Sequence, residues 1–224
     1  MNAPSPLLQS TFLLLPLLLV FRAWRATGSG KREAFVAGAW LLFTGALAAG
    51  GLLTRFDTFP PPLLRVVLPT LLITRGVGLS PLARGWIQSW SLASMVAFQS
   101  FRLPLELLMH QAAREGVMPV QMSFSGRNFD IVTGLLALPL SLWLSRGGRS
   151  RAVVWLWNLL GLALLCNVVG VAIASFPGPL RLFHQEPANL WVTTFPFVWL
   201  PTVMVPLALA GHVLIARKLK LGVE

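Results

Sequence analysis

Residues 152–175 read AVVWLWNLLGLALLCNVVGVAIAS, a run with no Asp, Glu, Lys or Arg, bounded by Arg151 on one side and Pro177 and Gly178 on the other. As a helix rising 1.5 Å per residue it reaches about 36 Å, enough to cross a hydrocarbon core of roughly 30 Å. A buried helix of a soluble protein has no need of so long an unbroken run, so this stretch predicts a membrane span. Six further apolar runs, at 7–21, 34–54, 62–78, 86–111, 131–145 and 190–216, are separated by Arg, Pro and Gly clusters. The expected architecture is therefore all-α: a polytopic integral membrane helix bundle of about seven transmembrane helices, with residues 1–224 forming one domain.

The whole chain agrees with that reading. Hydrophobic residues make up 55% of the sequence and charged ones 11%, whereas a soluble domain carries roughly a quarter charge. So much apolar surface also excludes a disordered chain. A lone cysteine, Cys166, excludes an intrachain disulfide scaffold and a cysteine-built metal cluster. The first run has no basic residue before it, and Arg22 and Arg25 after it, the flank of a retained anchor rather than of a cleaved signal. Small residues at fourfold spacing, Gly45 with Ala49, Ala46 with Gly50 and Gly170 with Ala174, predict close helix contacts.

Basic residues set the direction, because Lys and Arg in short loops stay on the cytoplasmic side. With the N-terminus outside, one side holds Arg22, Arg25, Lys31, Arg32, Arg75, Arg84, Arg146, Arg149, Arg151, Arg217, Lys218 and Lys220, twelve in all; the other holds Arg55, Arg114, Arg127 and Arg181. An odd number of spans satisfies both termini, and the C-terminus is expected in the cytoplasm. Compact loops suggest a bacterial-type inner (plasma) membrane. The net charge of +11 then reflects span ends that meet anionic headgroups, so membrane lipids are the expected partners and nucleic acid is not. Trp86, Trp90, Trp143, Trp155, Trp157 and Trp191 fall near span ends, as an aromatic belt requires.

Chemistry concentrates in the fourth run. Gln99, Arg102, Glu106 and His110 recur at offsets of three, four and four and so share one helix face. Ionisable residues inside a bilayer cost free energy and usually face a protein interior or a water-filled cavity. Arg102 and Glu106, at i and i+4, are expected to pair, with His110 about 12 Å nearer the outside. Pro104 removes one backbone hydrogen bond and frees the carbonyl of Ser100. Outer segments add Arg127, Asn128 and Asp130, then His184, Glu186 and Asn189, and Arg65 lies one turn inside the third run. Asp130 reads equally as a cap of the fifth helix. Asn158 and Asn167 predict interhelical hydrogen bonds.

The leading expectation is an outward-facing polar pocket that binds, or binds and transports, a small anionic or zwitterionic ligand or lipid headgroup. Arg65, Arg102 and Arg127 would hold charge, with Gln99, Asn128, Asp130, His184, Glu186 and Asn189 as further ligand contacts and Glu106 and His110 exchanging protons. One alternative is a membrane-embedded lipid hydrolase or transferase with Glu106 and His110 as acid and base, with or without a metal shared with His184. Another is a structural subunit or assembly factor whose ion pairs only fix the fold. The sequence holds no clustered metal-ligand motif, Walker A motif, GxSxG or GxGxxG, and no lysine inside the last span for retinal; it assigns no metal or cofactor and leaves oligomeric state open. A bis-histidine haem would need His110 with His184, since His212 is expected near the inner end of the seventh span.

Overall fold

The computed structural model describes residues 2–222, and among the described residues there is no strand. The helices are α1 (Pro6–Ala26), α2 (Lys31–Ala49), α3 (Pro62–Leu79), α4 (Arg84–Ser89), α5 (Leu92–Phe98), α6 (Arg102–Arg114), α7 (Ile131–Ser145), α8 (Arg151–Ala174) and α9 (Val205–Leu221). Local chemistry sets their limits. Ser5 accepts from the Leu8 amide with Pro6 at the first helical position of α1, the Ser150 hydroxyl accepts from Val153, and Gly222 ends α9 in the left-handed region at φ 65°.

Five segments are long and apolar enough to cross a membrane: α1, α2, α3, α8, and α9 together with the π turn that precedes it, Leu200–Leu221. The fifth predicted run is α7, apolar but only 15 residues long. The fourth is not one helix. It begins at Leu92 rather than near Trp86, and α5 passes into α6 through a 3-10 turn, Gln99–Phe101. Pro104 has no amide for the Ser100 carbonyl and its ring crowds that oxygen, so the chain tightens there before α6 starts at Arg102.

The seventh predicted run also differs, since residues 190–199 are not part of the long helix. After an exposed loop at 178–187, residues 188–199 turn back into the bundle with Trp191, Val192, Phe197 and Val198 buried, and helix begins only at Leu200. Pro196, Pro201 and Pro206 explain the delay, because each removes one helical amide. The Thr202 carbonyl, which Pro206 cannot serve, accepts from Trp40 Nε1 at 2.9 Å. The 115–130 segment likewise folds inward, burying Gln121, Met122, Ser123, Asn128 and Asp130. Irregular backbone among apolar helices is tolerated where protein surrounds it.

Helix α9 is the axis of the bundle: 56% of its most apolar window is buried, against 22% for α1, α2 and α3. The outer helices turn large apolar side chains outward, with Leu42 77%, Leu72 68% and Leu156 69% exposed, a surface suited to lipid rather than water. Two of the predicted belt tryptophans are core residues instead. Trp191 packs edge-on against Phe12, and Trp157 donates to the Thr133 carbonyl at 3.3 Å. Contacts define two ends. At one, Arg217 donates to the Ser80 carbonyl, Lys218 to Ile87 and Arg151 to Leu219; at the other, Ser5 meets Glu115 and Phe56 meets Phe176.

Candidate functional site

The site is built around the first residue of α6. Arg102 is 1% exposed, and its guanidinium grips Asp130 with two parallel N–H groups, Nε to Oδ2 at 2.6 Å and Nη2 to Oδ1. This bidentate fork is the strongest arrangement open to the two groups. Nη2 also reaches the Gly161 carbonyl at 3.3 Å, and Nη1 lies 2.7 Å from His212 Nε2. Arginine can only donate, so His212 Nε2 is the acceptor and the imidazole is neutral, with its proton on Nδ1. That proton points to Asn158 Oδ1 at 2.8 Å, while Asn158 Nδ2 donates to the His212 carbonyl at 3.3 Å. The chain of donors and acceptors runs from α6 through the start of α7 to α9 and α8.

Close helix approach makes this possible. A Cβ on Gly161 would strike the His212 ring and Thr133, and one on Gly134 would strike the backbone of Arg102 and Leu103. These are the glycines that set helix spacing at the site, whereas Gly170, expected to do so, has open space beside it. Asp130 does not cap α7 with its side chain, because both carboxylate oxygens are taken up by the arginine and, more loosely, by Thr133 Oγ1 at 3.4 Å. The expected Arg102–Glu106 pair does not form. Glu106, also 1% exposed, instead accepts from Asn128 Nδ2, 2.9 Å from one oxygen and 2.8 Å from the other.

Glu106 lines a partly open cavity of about 70 Å³ between α3, α6, α8 and α9. Its walls are apolar, including Leu63, Val67, Leu105, Met109, Val168 and Met204, and its polar members are Arg102, Glu106, Asp130 and Asn189. Asn128 Nδ2 also donates to the Met122 carbonyl at 2.9 Å, so one amide with two hydrogens serves three acceptor atoms and Glu106 keeps open lone pairs. Asn189 donates through Nδ2 to the Ala172 carbonyl at 3.0 Å, and its buried Oδ1 has no partner among the described residues. An apolar chamber with two under-used acceptors suits a molecule that is mostly hydrocarbon and carries a hydrogen-bond donor.

The remaining predicted residues lie elsewhere. Gln99 is buried and donates to the Ala208 carbonyl at 3.2 Å. His110 is half-buried, stacked on Phe124 and 3.2 Å from Ser125 Oγ, with no hydrogen bond to Glu106. Arg65 is exposed and bonds back to Pro60 and Thr58. Arg127 lies over the Phe183 ring, and its carbonyl accepts from Asn167 Nδ2 at 2.7 Å. His184 is exposed. Glu186 is exposed and bonds Arg181 at 2.8 Å, which together with the Ala188 amide holds its carboxyl below the usual range. Among the described residues no three His, Cys, Asp or Glu side chains converge as metal ligands. Arg102, Glu106, Asn128 and Asp130 are thus gathered with Asn189 around one site, while Gln99, buried against α9, and Arg65, Arg127, His110, His184 and Glu186 are not part of it.

Sequence reasoning missed His212, Gly161 and Thr133 as members of the network. The available signal was a histidine and an asparagine, His212 and Asn158, within otherwise apolar spans: two polar groups there need each other or a third partner.

A family model described as "Domain of unknown function (DUF8737)" matches residues 59–220, and the chain belongs to that family. The match runs from just before α3 to the last turn of α9 and so contains the whole network and cavity. No curated protein and no solved structure gives a match.

Proposed function

We propose that this member of the family is a seven-crossing membrane protein that takes a lipid-like molecule into its core, where Glu106 and Asn189 accept from a hydroxyl or amine on that molecule. The observation that carries this reading is the carboxyl group of Glu106, buried against apolar walls and served by a single shared amide. Anionic or zwitterionic ligands are disfavoured, because the charge of Arg102 is already matched by Asp130, and Arg65 and Arg127 are engaged elsewhere. Met109, Met122 and Met204 around the cavity give walls that can adapt to a guest larger than the resting space. The Asp130–Arg102–His212–Asn158 chain acts as the frame that keeps α6 to α9 in register.

The seven crossings are the five long helices, α7 and the α5–α6 pair, alternating in direction. Support comes from the end that collects Arg217, Lys218, Arg151 and Ile87, which is also where the basic residues are dense; by the positive-inside rule it is cytoplasmic, in the plasma membrane of a bacterial-type cell.

Photolabelling tests the ligand. A diazirine-bearing long-chain alcohol should label peptides of α3, α6, α8 or α9 in detergent-purified protein, and excess plain alcohol should compete it away. Glu106→Gln should cut labelling severalfold with the elution profile unchanged. Labelling insensitive to both Glu106→Gln and Asn189→Leu would overturn the reading. For direction, a Cys166→Ala background with cysteine at Ser29 or Ser125 should react with an impermeant maleimide only at Ser125 in intact cells.

A further inference from the structure

We propose that the guest of the Glu106 cavity comes from the bilayer rather than from water: a single-chain amphiphile whose uncharged hydroxyl or amine head enters sideways between α3 and α8 while its chain stays in the seam between them. This rests on the reading of that cavity as a lipid site. Size gives the first indication. The chamber of about 70 Å³ is far below the roughly 300–1,000 Å³ that encloses a drug-sized ligand. It takes a head with a short length of chain, and the rest of a long chain has to lie outside.

The opening lies where two helices share a neighbour without closing on each other. Helices α3 and α8 each pack along α9 and make no comparable contact with one another. Between them the cavity is bounded by side chains, Leu64 and Leu68 of α3 and Val169 and Ile173 of α8. Leu68 lines the cavity and is nevertheless 43% exposed, so one side chain belongs to both the inner wall and the lipid-facing surface, which marks the mouth. It lies six residues, about 9 Å, along the helix from Pro62, within the hydrocarbon. The next residue, Pro69, cannot serve the Arg65 carbonyl and interrupts the α3 ladder at that level. Across the cavity stands the π turn Leu200–Met204, a feature that recurs at functional sites in helices.

Toward the end of the bundle opposite the basic one, the seam is shut. Phe176 lines the cavity, is 7% exposed and packs on Phe56 with ring centroids 5.6 Å apart. Beyond it a second space of only about 10 Å³ continues the same line, sharing Leu64, Ile173 and Phe176 with the first and lined by no polar side chain. A guest from water would have to pass this plug, whereas one dissolved in the bilayer meets the mouth directly. Crossing an apolar mouth strips hydration from the head, which is costly for an ion and tolerable for a hydroxyl or neutral amine that regains hydrogen bonds inside. Asn189, fully buried with its Oδ1 unpartnered among the described residues, and Glu106 are the acceptors waiting there.

Two long-chain alcohols of equal length, one with a diazirine beside the hydroxyl and one with it near the chain end, test the route in full-length protein reconstituted into phosphatidylcholine vesicles. The labelling that counts is the part removed by Glu106→Gln. For the head-side probe it should fall on cavity residues of α6 or α9, and for the chain-end probe on the Leu64–Leu68 or Val169–Ile173 stretches. Leu68→Trp, which fills the mouth from an exposed position, should lower head-side labelling severalfold. Leu72→Trp, one turn further along α3 and 68% exposed, should leave it unchanged. Glu106-dependent head-side labelling that ignores Leu68→Trp, or a Glu106-dependent chain-end adduct on residues 115–130 or 188–199, would overturn the sideways route while the site itself stands. Labelling by both probes that is insensitive to Glu106→Gln and Asn189→Leu would remove the site and the route together.

Discussion

Two ion pairs join arginine to carboxylate among the described residues, and they have little in common but chemistry. In Arg102–Asp130 the side chains are 1% and 5% exposed; in Arg181–Glu186 they are 18% and 71% exposed. The first links elements 28 residues apart and passes its remaining donors to His212 and Gly161, while the second closes a short loop five residues long. Losing one partner of a buried pair strands an unmatched charge away from water, at a cost of about 3–5 kcal/mol. A surface pair is screened and replaceable by water. Position in the fold, rather than the pairing itself, decides what such a bond is worth.

The sharpest way to break the contrast is Asp130→Asn, which keeps shape but removes the counter-charge of Arg102. We expect a loss of about 3–5 kcal/mol in a denaturant titration in detergent; a loss below about 1 kcal/mol would mean that water already shares the site. Replacing both partners, Arg102→Met with Asp130→Leu, should recover much of that loss. Next in size is Gly161→Ala, whose methyl group collides with the His212 ring and Thr133 and should cost about 1–3 kcal/mol by overpacking. Gly170→Ala, in open space on the same helix, is its control and should leave unfolding unchanged.

Glu106→Gln comes third. The amide oxygen can still accept from Asn128, so the melting temperature should hold while alcohol labelling falls; a large drop in stability instead would place Glu106 in the frame with Arg102. Smallest is Arg181→Ala, for which no resolvable change in melting temperature is expected. Its partner Glu186 and the Ser5-bonded Glu115 supply a pH test. Arg181 and the Ala188 amide hold the Glu186 carboxyl below its ordinary 4.5. Glu115 is pushed up by burial, but hydrogen bonds from the Ser5 amide, Gln111 and the Ser5 hydroxyl outweigh that and leave it also below 4.5. A folded value below the unfolded one stabilises above the unfolded pKa and fades as pH falls through the folded value. These two carboxyls should therefore add no pH dependence to the melting temperature above about pH 5 and should make it decline gently below 4.5. Glu115→Gln should flatten that decline.

Much of the helix layout was legible because hydrophobic length is a one-dimensional property: each predicted run contains helix, and 152–175 is α8 almost to the residue. Gln99, Arg102 and Glu106 were legible as inward-facing, since charge and amide groups in apolar surroundings must turn from lipid; Asn128, Asp130 and Asn189, read as outer-loop residues, are buried as well. Their partners were not legible. Periodicity favoured Arg102 with Glu106, one turn apart, yet a planar carboxylate 28 residues away offered a two-pronged fit that the helical neighbour did not. His212 looked like an end residue because its span was read as 190–216, whereas the helix runs on to Leu221. With helix beginning at Leu200, it sits level with Arg102.

Composition and the spacing of basic residues alone determined that this chain belongs in a membrane as a bundle of helices, because the cost of hydrating so many apolar side chains leaves no other class. Only the tertiary structure decided that 115–130 and 188–199 fold inward, that Arg102 is matched rather than free, and that Glu106 and Asn189 face an apolar chamber. Those outcomes depend on which donors and acceptors from distant segments arrive together once glycines such as Gly134 and Gly161 let the helices close, and proximity of that kind is not encoded in any local window.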